Sequence, residues 1–216
     1  LEEENAYLME AISIERAHHD IIGQSDAIKR IITQIALVGP TQTSVLIHGE
    51  SGVGKSLVAS AIHDESSRKR RPMIHFKPGA LSQDQVEREL FGTLFIDEIC
   101  DIPIDVQSRL LDTLQNGAVV RLGDDRTRSL DLRVIASTSR DLDREIQAGR
   151  LRHDLVLALG VFPVHCPPLR ERIKDIPVLT AHLLGIACRR LGRRVPIVTE
   201  GAMRKLQAYH WPGNVR

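Results

Sequence analysis

Short apolar stretches alternate with longer amphipathic ones along the first three quarters of the chain. The apolar stretches predict five strands, at 44–48, 73–77, 94–96, 132–136 and 161–164. Between them, apolar residues at a helical period predict helices at 25–38, 55–64, 82–91 and 104–115. Strands that alternate with helices indicate an α/β fold, in which a parallel sheet with right-handed crossovers is flanked by helices.

Two of these helices have a clear predicted inward face. Ser25 can cap the first of them, whose inward residues are predicted to be Ile28, Ile31, Ile32 and Ile35. In the helix at 104–115 the predicted buried stripe consists of Val106, Leu110, Leu111 and Leu114.

The two ends of the chain differ from this alternating middle. Pro167 and Pro168 end the alternation, and helices predicted at 175–190 and 199–209, the second capped by Thr199, form a small C-terminal helical lid. Residues 1–17 predict an acidic amphipathic helix, either a free tail or a linker from an upstream domain. The chain therefore divides into a linker at 1–19, an α/β core at 20–170 and a lid at 171–216.

Composition narrows the fold class and the kinds of partner. Hydrophobic residues make up 42% of the 216 residues but aromatic ones only 3%, which favours an aliphatic parallel sheet over a β-sandwich. The formal net charge of +1 gives no reason to infer nucleic-acid binding by this segment. The basic runs at 68–71 and 189–194 lack interleaved aromatics, so we expect solvated loop and helix faces there.

Cysteine usage and hydropathy indicate a cytoplasmic location. Cys100, Cys166 and Cys188 are scattered without a CxxC pair, which favours reduced structural thiols over a metal site. The sequence has no apolar run near the ~20 residues of a membrane span and no signal-peptide pattern at its start. We therefore expect a soluble cytoplasmic protein with no membrane partner.

A glycine-rich loop follows the first predicted strand and precedes a predicted helix. Its residues are Gly49, Glu50, Ser51, Gly52, Val53, Gly54, Lys55 and Ser56. In this pattern the glycines let backbone N–H groups wrap phosphates, the lysine faces the β- and γ-phosphates, and the serine hydroxyl faces Mg²⁺. The helix N-terminus adds its dipole. The loop therefore predicts binding of a nucleoside triphosphate with Mg²⁺.

Two carboxylates follow the third predicted strand. Asp97 and Glu98 lie at the carboxyl edge of the sheet, where ligands bind in open α/β folds. Asp97 can hold Mg²⁺ together with Ser56, and Glu98 can orient or deprotonate an attacking water.

Several motifs together carry a family resemblance. They are Gly-Glu-Ser-Gly at 49–52, Glu-Leu-Phe-Gly at 89–92, Thr-Leu-Phe-Ile-Asp-Glu-Ile at 93–99, Pro-Pro-Leu-Arg-Glu-Arg at 167–172 and Trp-Pro-Gly-Asn-Val-Arg at 211–216. Over residues 20–216 the chain resembles the AAA+ domain of sigma-54-dependent bacterial transcription activators, the enhancer-binding proteins, as a divergent member. The resemblance implies an oligomeric ATPase, from dimer to hexameric ring, that binds ATP and Mg²⁺ and remodels sigma-54 RNA polymerase. It also implies an upstream sensory domain and a downstream DNA-binding helix-turn-helix domain absent from this chain.

The resemblance also implies roles for individual residues. Ile21 and Ile22 match the segment that lies against the adenine, and Thr138 and Ser139 match the sensor I turn. Arg152 matches the first of two arginines offered to the neighbouring subunit's γ-phosphate. Arg216 matches the sensor II arginine of the lid; a frayed terminal side chain is the alternative.

Four departures from the family pattern bear on mechanism. The family's sigma-contacting loop, with its Gly-Ala-Phe-Thr-Gly-Ala motif, is missing between Gly92 and Thr93. Either the loop is deleted from the protein, or the natural protein carries it in a segment that this sequence lacks. Ala158 replaces the second arginine, Lys77 replaces the asparagine that restrains Glu98, and Ser139 replaces a longer asparagine. Together these departures predict weakened hydrolysis, since Lys77 could pair with Glu98 and reduce its strength as a base.

Two function hypotheses remain. The first is an ATPase that works on sigma-54 polymerase. The second is a nucleotide-binding regulatory module that hydrolyses poorly and acts with another sigma factor. A small-molecule kinase is disfavoured, because the motifs at 167–172 and 211–216 have no role in one.

Overall fold

The computed structural model describes residues 21–76, 92–116, 118–120, 127–129 and 131–216. Its helices are α1 (Asp26–Val38), α2 (Lys55–Asp64), α3 (Ile104–Asn116), α4 (Leu142–Gln147), α5 (His153–Leu159), α6 (Ile176–Arg190) and α7 (Glu200–Ala208). Its strands are β1 (Val45–His48), β2 (Met73–Phe76), β3 (Thr93–Ile96), β4 (Ala118–Val120), β5 (Thr127–Ser129), β6 (Arg133–Thr138) and β7 (Phe162–His165).

The five predicted strands form one parallel sheet in the order β2-β3-β6-β1-β7. β6 therefore lies between β1, which leads into the glycine-rich loop, and β3, which leads into Asp97. Because all carboxyl ends of parallel strands meet at one edge, this order brings the loop, the carboxylates and the end of β6 together. The predicted fold class, an α/β parallel sheet flanked by helices, is confirmed.

Alternation along the strands divides the core between the two faces of the sheet. Val45 and Ile47 of β1 pack with the buried residues of α1 and α2, whereas Leu46 between them packs with Leu111 of α3 and with α5. Strands covered by helices on both faces read as continuous apolar runs, which is the pattern of 45–47. A third apolar cluster, around Leu169, Ile176 and Leu179, belongs to the C-terminal helices.

Two sequence predictions about side chains are wrong. Ile32 is 46% exposed, because the buried stripe of α1 runs through Ile28, Ile31, Ile35 and Val38 instead. Arg68 is buried rather than solvated: it bonds Asp131, and its Nε donates to Gln42 Oε1 at 2.7 Å. The prediction fails only at Arg68, which pairs with the half-exposed Asp131. The other residues of the two basic runs, at 69–71 and 189–194, are exposed as predicted.

Some elements were not predicted, and others lie outside the described residues. The sequence analysis assigned nothing to α4, α5 or the antiparallel β4–β5 pair, whose three to seven residues are too short for a periodic signal. The predicted helices at 1–17 and 82–91 and the side chain of Lys77 lie outside the described residues. Ser25 and Thr199 cap α1 and α7 as predicted. The side-chain oxygen of each accepts a hydrogen bond from the backbone N–H of the residue three positions later.

A second buried arginine fastens the sheet to α1. Arg133 at the start of β6 is 1% exposed, and its Nη1 and Nη2 donate to the carbonyls of Gly39 and Val38 at 2.7 and 2.8 Å. A cation at a helix C-terminus satisfies carbonyls that have no partner within the helix and interacts favourably with its dipole. Burial lowers the pKa of this guanidinium to about 10.

The three cysteines are free and buried, as expected of reduced structural thiols. Among the described helices, none combines the length and apolarity needed to cross a bilayer.

Candidate nucleotide site

The loop between β1 and α2 has glycine where its backbone requires it. Gly52 has a φ of 79° and Gly54, which precedes α2, a φ of 105°, values that side chains with a Cβ rarely adopt. A Cβ on Gly52 would lie 2.3 Å from the carbonyl oxygen of Gly213, and one on Gly49 2.5 Å from that of Cys166. The glycines thus allow both the turn and the close approach of the C-terminal segment.

The lysine of the loop is held inside it. Lys55 is 8% exposed, and its Nζ donates to the carbonyls of Gly49 at 2.9 Å and Glu50 at 3.3 Å. Both acceptors belong to the loop itself, so the ammonium group lies where the loop would wrap a phosphate.

The carboxylates after β3 are held by the end of β6. Ser137 Oγ donates to Asp97 Oδ1 at 2.7 Å, and Thr138 Oγ1 donates to Glu98 Oε1 at 2.6 Å. The backbone N–H and the Oγ of Ser139 both donate to Glu98 Oε2, at 2.9 and 2.5 Å. Ser139 therefore reaches Glu98 despite being shorter than asparagine.

Glu98 also has an uncommon backbone conformation. Its φ of 61° lies in the left-handed region, which a non-glycine residue occupies only at some energetic cost. The three donors from Thr138 and Ser139 hold the carboxylate in this position.

The C-terminal residues are attached to the loop. The Val215 N–H donates to the Gly52 carbonyl at 3.0 Å, and Asn214 Nδ2 donates to the Ser51 carbonyl at 2.9 Å. Asn214 is 4% exposed with a φ of 55°, a conformation that asparagine tolerates better than most residues. Its Oδ1 accepts from the Leu169 N–H at 2.8 Å. These bonds place Arg216 at the mouth of the site rather than in a frayed end.

Glu50 makes a second connection between the loop and the lid. Arg170 donates to both oxygens of Glu50, at 2.9 and 2.5 Å, and Asn214 Nδ2 donates at 3.2 Å. The hydrogen bonds from Arg170, with that from Asn214, lower the pKa of Glu50 from 4.5 to about 2.

This pKa gives a pH-dependent contribution to stability. Since the folded pKa lies below the unfolded one, the contribution is complete above 4.5 and is lost as the pH falls through about 2. Because both side chains are about two-fifths exposed, solvent screens the pair and its contribution is small. We expect Glu50→Gln to lower the melting temperature slightly near neutral pH, and the difference from wild type to shrink between about pH 5 and pH 2. Glu171→Gln, at a neighbouring exposed glutamate, is the control. A Glu50→Gln difference that stays constant over this range would contradict the ion pair.

Two buried charged residues, Arg172 and Asp175, bond to the loop and to the residues just before α1. Arg172 is 6% exposed and its Nη2 donates to the Val53 carbonyl at 3.0 Å. Asp175 is fully buried and accepts from the N–H groups of Gln24 and Ser25 at 2.6 and 2.7 Å and from Ser25 Oγ at 2.7 Å. Burial lowers the pKa of the Arg172 guanidinium, and the Asp175 carboxylate opposes that shift.

These elements enclose a cavity of about 580 Å³. Of the residues predicted from sequence, the following line it: Ile21, Ile22, Ser51, Gly52, Val53, Gly54, Lys55, Ser56, Asp97, Glu98, Ser139 and Arg216. Gly49, Glu50 and Thr138 do not line it but bond to residues that do. The other wall is apolar and includes Ile28, Leu179, Leu183 and Ile186.

Arg152 alone among the predicted residues lies away from the cavity. Its guanidinium donates to both oxygens of Asp154, at 3.0 and 2.6 Å, and to Ser108 Oγ at 3.0 Å. The chain does not bring this arginine to its own cavity.

The sequence analysis gave no role to Arg170, Arg172, Asp175, Asn214 or Ser137. The first four lie within or beside the motifs at 167–172 and 211–216, so a signal was present. Their partners are 40 to 164 positions away along the chain, and sequence spacing does not reveal such pairs.

Comparisons with known proteins identify the family. The protein family described as "Sigma-54 interaction domain" matches residues 21–94 and 92–165, and the family described as "AAA+ ATPase lid domain" matches residues 170–216. The chain is 39% identical over 221 residues to a signal-transduction and transcriptional-control protein of Clostridium beijerinckii, covering 91% of this chain and 35% of that protein. It is 37% identical over 239 residues to the DNA-binding transcriptional activator HyfR of Escherichia coli, covering 100% of this chain and 36% of HyfR. The chain thus spans about a third of these relatives.

A solved structure is also similar. NtrX from Brucella abortus in complex with ATP superposes with a TM-score of 0.81 at 33% identity, covering 98% of this chain and 54% of that one. The HyfR alignment spans 239 positions against the 216 residues here, so HyfR carries about 23 residues without a counterpart. The family match is interrupted at 92–94, beside the join of Gly92 to Thr93. With its core and its lid both matched, the chain belongs to the family of sigma-54 interaction domains of the AAA+ class.

Proposed function

We propose that this domain binds ATP with Mg²⁺ and couples nucleotide state and oligomerisation to activation of sigma-54 RNA polymerase in a bacterial transcription regulator. One observation carries the proposal: a single cavity is lined by the glycine-rich loop, Asp97, Glu98, the turn after β6 and Arg216 of the lid. Phosphate binding, water activation and a sensor arginine need these residue types in one place. The ATP complex of NtrX, at 33% identity, supports the same ligand here.

Each end of the cavity suits a different part of ATP. The loop N–H groups, Lys55 and the start of α2 suit the phosphates, and the apolar wall with Ile21 and Ile22 suits the base. Ser56 and Asp97 would hold Mg²⁺, which usually keeps several waters and takes one or two protein oxygens beside those of phosphate. The described residues contain no group of three or more His, Cys, Asp or Glu that would hold a metal by itself.

Glu98 is the proposed general base, with Thr138 and Ser139 as its restraints. The three donors take up three of the roughly four lone-pair positions of the carboxylate, two on Oε2 and one on Oε1. Water activation would use the position that remains on Oε1.

The missing segment at Gly92–Thr93 bears on the polymerase partner. If the contact loop is absent, we propose the alternative function, a hydrolysis-impaired regulatory module that acts with another sigma factor. We further propose the divisions 1–19, 20–170 and 171–216, a cytoplasmic location, and DNA contact through a helix-turn-helix domain outside this chain.

A binding experiment separates the two functions. The protein is mixed with sigma-54 or with a sigma factor other than sigma-54. One series of mixtures contains ATP and a second contains ADP–aluminium fluoride, and complexes are measured by native electrophoresis. A matched variant receives, between Gly92 and Thr93, a family loop that carries the Gly-Ala-Phe-Thr-Gly-Ala motif. The principal proposal predicts nucleotide-dependent capture of sigma-54, strengthened by the insertion. Capture of only the other sigma factor by the unmodified chain would favour the alternative.

A second prediction concerns assembly. Because Arg152 lies outside its own cavity, we propose that it serves the site of the next protomer. ATPase activity should rise more than linearly with protein concentration. Arg152→Ala and Glu98→Gln, each inactive alone, should together recover turnover at interfaces that pair an intact Glu98 with an intact Arg152. Activity strictly proportional to concentration, with no recovery on mixing, would indicate a site complete within one subunit.

A further inference from the structure

One polar side chain lies in the apolar wall of the cavity. Four residues of α6 line this wall, and their spacing places them on one face of the helix: Leu179, His182, Leu183 and Ile186. Ile22 packs with Leu179 and lines the same cavity. His182 is therefore the polar member of a surface that is otherwise aliphatic.

The other polar residues that line the cavity belong to its phosphate end. They lie in the loop or at the carboxyl edge of the sheet, or they bond to the loop, as Arg172 and Arg216 do. The imidazole of His182 is only partly buried, and no described residue forms a hydrogen bond with it. Its ring nitrogens are thus available to a molecule that occupies the cavity.

The covalent order of ATP puts the base against this wall. In the proposed site the phosphates occupy the loop, and the ribose separates them from the base, so the base lies farthest from Lys55.

The apolar wall meets only part of what a base requires. Aliphatic side chains cover the faces of a planar ring but leave its polar edge without partners. Adenine carries an exocyclic amino group, a donor that loses water on binding and then needs an acceptor. A neutral imidazole has one acceptor nitrogen beside its N–H, so His182 can supply the acceptor that the rest of the wall lacks.

We infer that an imidazole nitrogen of His182 accepts a hydrogen bond from the exocyclic amino group of the bound adenine. This inference rests on the proposed ATP site and adds to it a residue that selects the base. Because His182 lies in the middle of α6, the contact also makes the first helix of the lid part of base recognition, whereas the loop and the sheet edge take the phosphates.

The test combines variants of His182 with analogues of ATP in a thermodynamic cycle. Calorimetry measures affinities for ATP, for purine riboside triphosphate (which lacks the amino group), for 2′-deoxyATP and for inorganic tripolyphosphate. We expect wild type to prefer ATP over purine riboside triphosphate roughly 2- to 10-fold, the value of a hydrogen bond between neutral groups. His182→Leu and His182→Phe, which have no acceptor, should bind these two nucleotides with equal affinity.

Leu183→Ala is the matched control, since it alters an apolar residue of the same wall. It should weaken both nucleotides by the same factor and keep the preference for ATP. Affinity for tripolyphosphate should be unchanged in all three variants, because none of them alters the phosphate end. Melting temperatures without ligand show which variants are folded, and either His182 variant decides if the other does not fold.

The possible outcomes separate the inference from the proposed function. A wild type that binds ATP and purine riboside triphosphate equally well overturns the inference but leaves the ATP site intact. A preference for ATP that persists without the imidazole also overturns it, because the acceptor then lies elsewhere. A preference for ATP over 2′-deoxyATP that His182→Leu abolishes would place the contact at the ribose instead of the base. Failure of wild type to bind ATP would refute the proposed function, and the inference with it.

Discussion

Replacement of Lys55 by alanine is expected to weaken ATP binding by at least about 100-fold, as two or more charge-assisted hydrogen bonds to phosphate are lost. The buried ammonium group is the cation that the loop itself presents to the phosphates, and it already lies against the loop carbonyls of Gly49 and Glu50. Titration with a fluorescent ATP analogue measures the change directly.

Two controls separate loss of the ligand contact from loss of the loop. Lys55 also holds the loop in the free protein, so the melting temperature without nucleotide must be compared with that of wild type. Lys29→Ala removes an exposed lysine of α1 and should leave the affinity unchanged. A Lys55→Ala protein that is folded and binds ATP as tightly as wild type would refute the phosphate loop.

The parts of the site that sequence could predict are contiguous. Gly49 to Ser56 form one uninterrupted motif, and Asp97 and Glu98 directly follow an apolar strand. Both groups can therefore be recognised from residues that are neighbours in the sequence. Their meeting in space follows from a rule of parallel sheets, whose ligands bind at the carboxyl edge. The order β3-β6-β1 was not predictable in this way, yet it is what places Thr138 and Ser139 against Glu98.

The parts that sequence could not predict depend on distant partners. Asn214 joins Leu169, Ser51 and Glu50, and Arg172 joins Val53. A local sequence pattern does not predict which distant residue a buried polar side chain will form a hydrogen bond with. The prediction that Arg68 is solvated was wrong for the same reason, because its ion-pair partner Asp131 is 63 positions away along the chain.

The candidate nucleotide-binding residues come together at one cavity, whereas the two candidate catalytic residues are bonded to other side chains or backbone groups of the chain. The loop, its lysine and the lid residues converge on one cavity. Glu98, by contrast, is held by three donors, and Arg152 is paired with Asp154. An exposed ion pair of this kind contributes little stability, so a neighbouring γ-phosphate can compete for Arg152 and the pair alone does not impair hydrolysis. We propose that the bonds on Glu98 and the lack of a second arginine at Ala158 favour binding over hydrolysis.

Slow hydrolysis with a gain in Ala158→Arg is therefore the second large effect that we expect. The transition state spreads charge over the γ-phosphoryl oxygens, and an arginine delivered to it can contribute on the order of 10³–10⁵ in rate. Ala158 packs at the edge of the core on α5, the helix that begins directly after Arg152. We expect single-turnover hydrolysis well below ~1 s⁻¹ in wild type and a rise of at least about tenfold in Ala158→Arg, part of that full contribution.

Matched variants show whether position and geometry both matter. Leu157→Arg places an arginine one residue away on an exposed position of α5 and should give no gain. Ala158→Lys supplies charge without the planar fork and should recover less than arginine. Lys77→Asn, alone and with Ala158→Arg, tests whether the lysine restrains Glu98, and the double variant should be fastest. A wild type that already turns over at ~1 s⁻¹ or faster, with no acceleration in any of these variants, would show that hydrolysis is unimpaired and that Arg152 suffices alone.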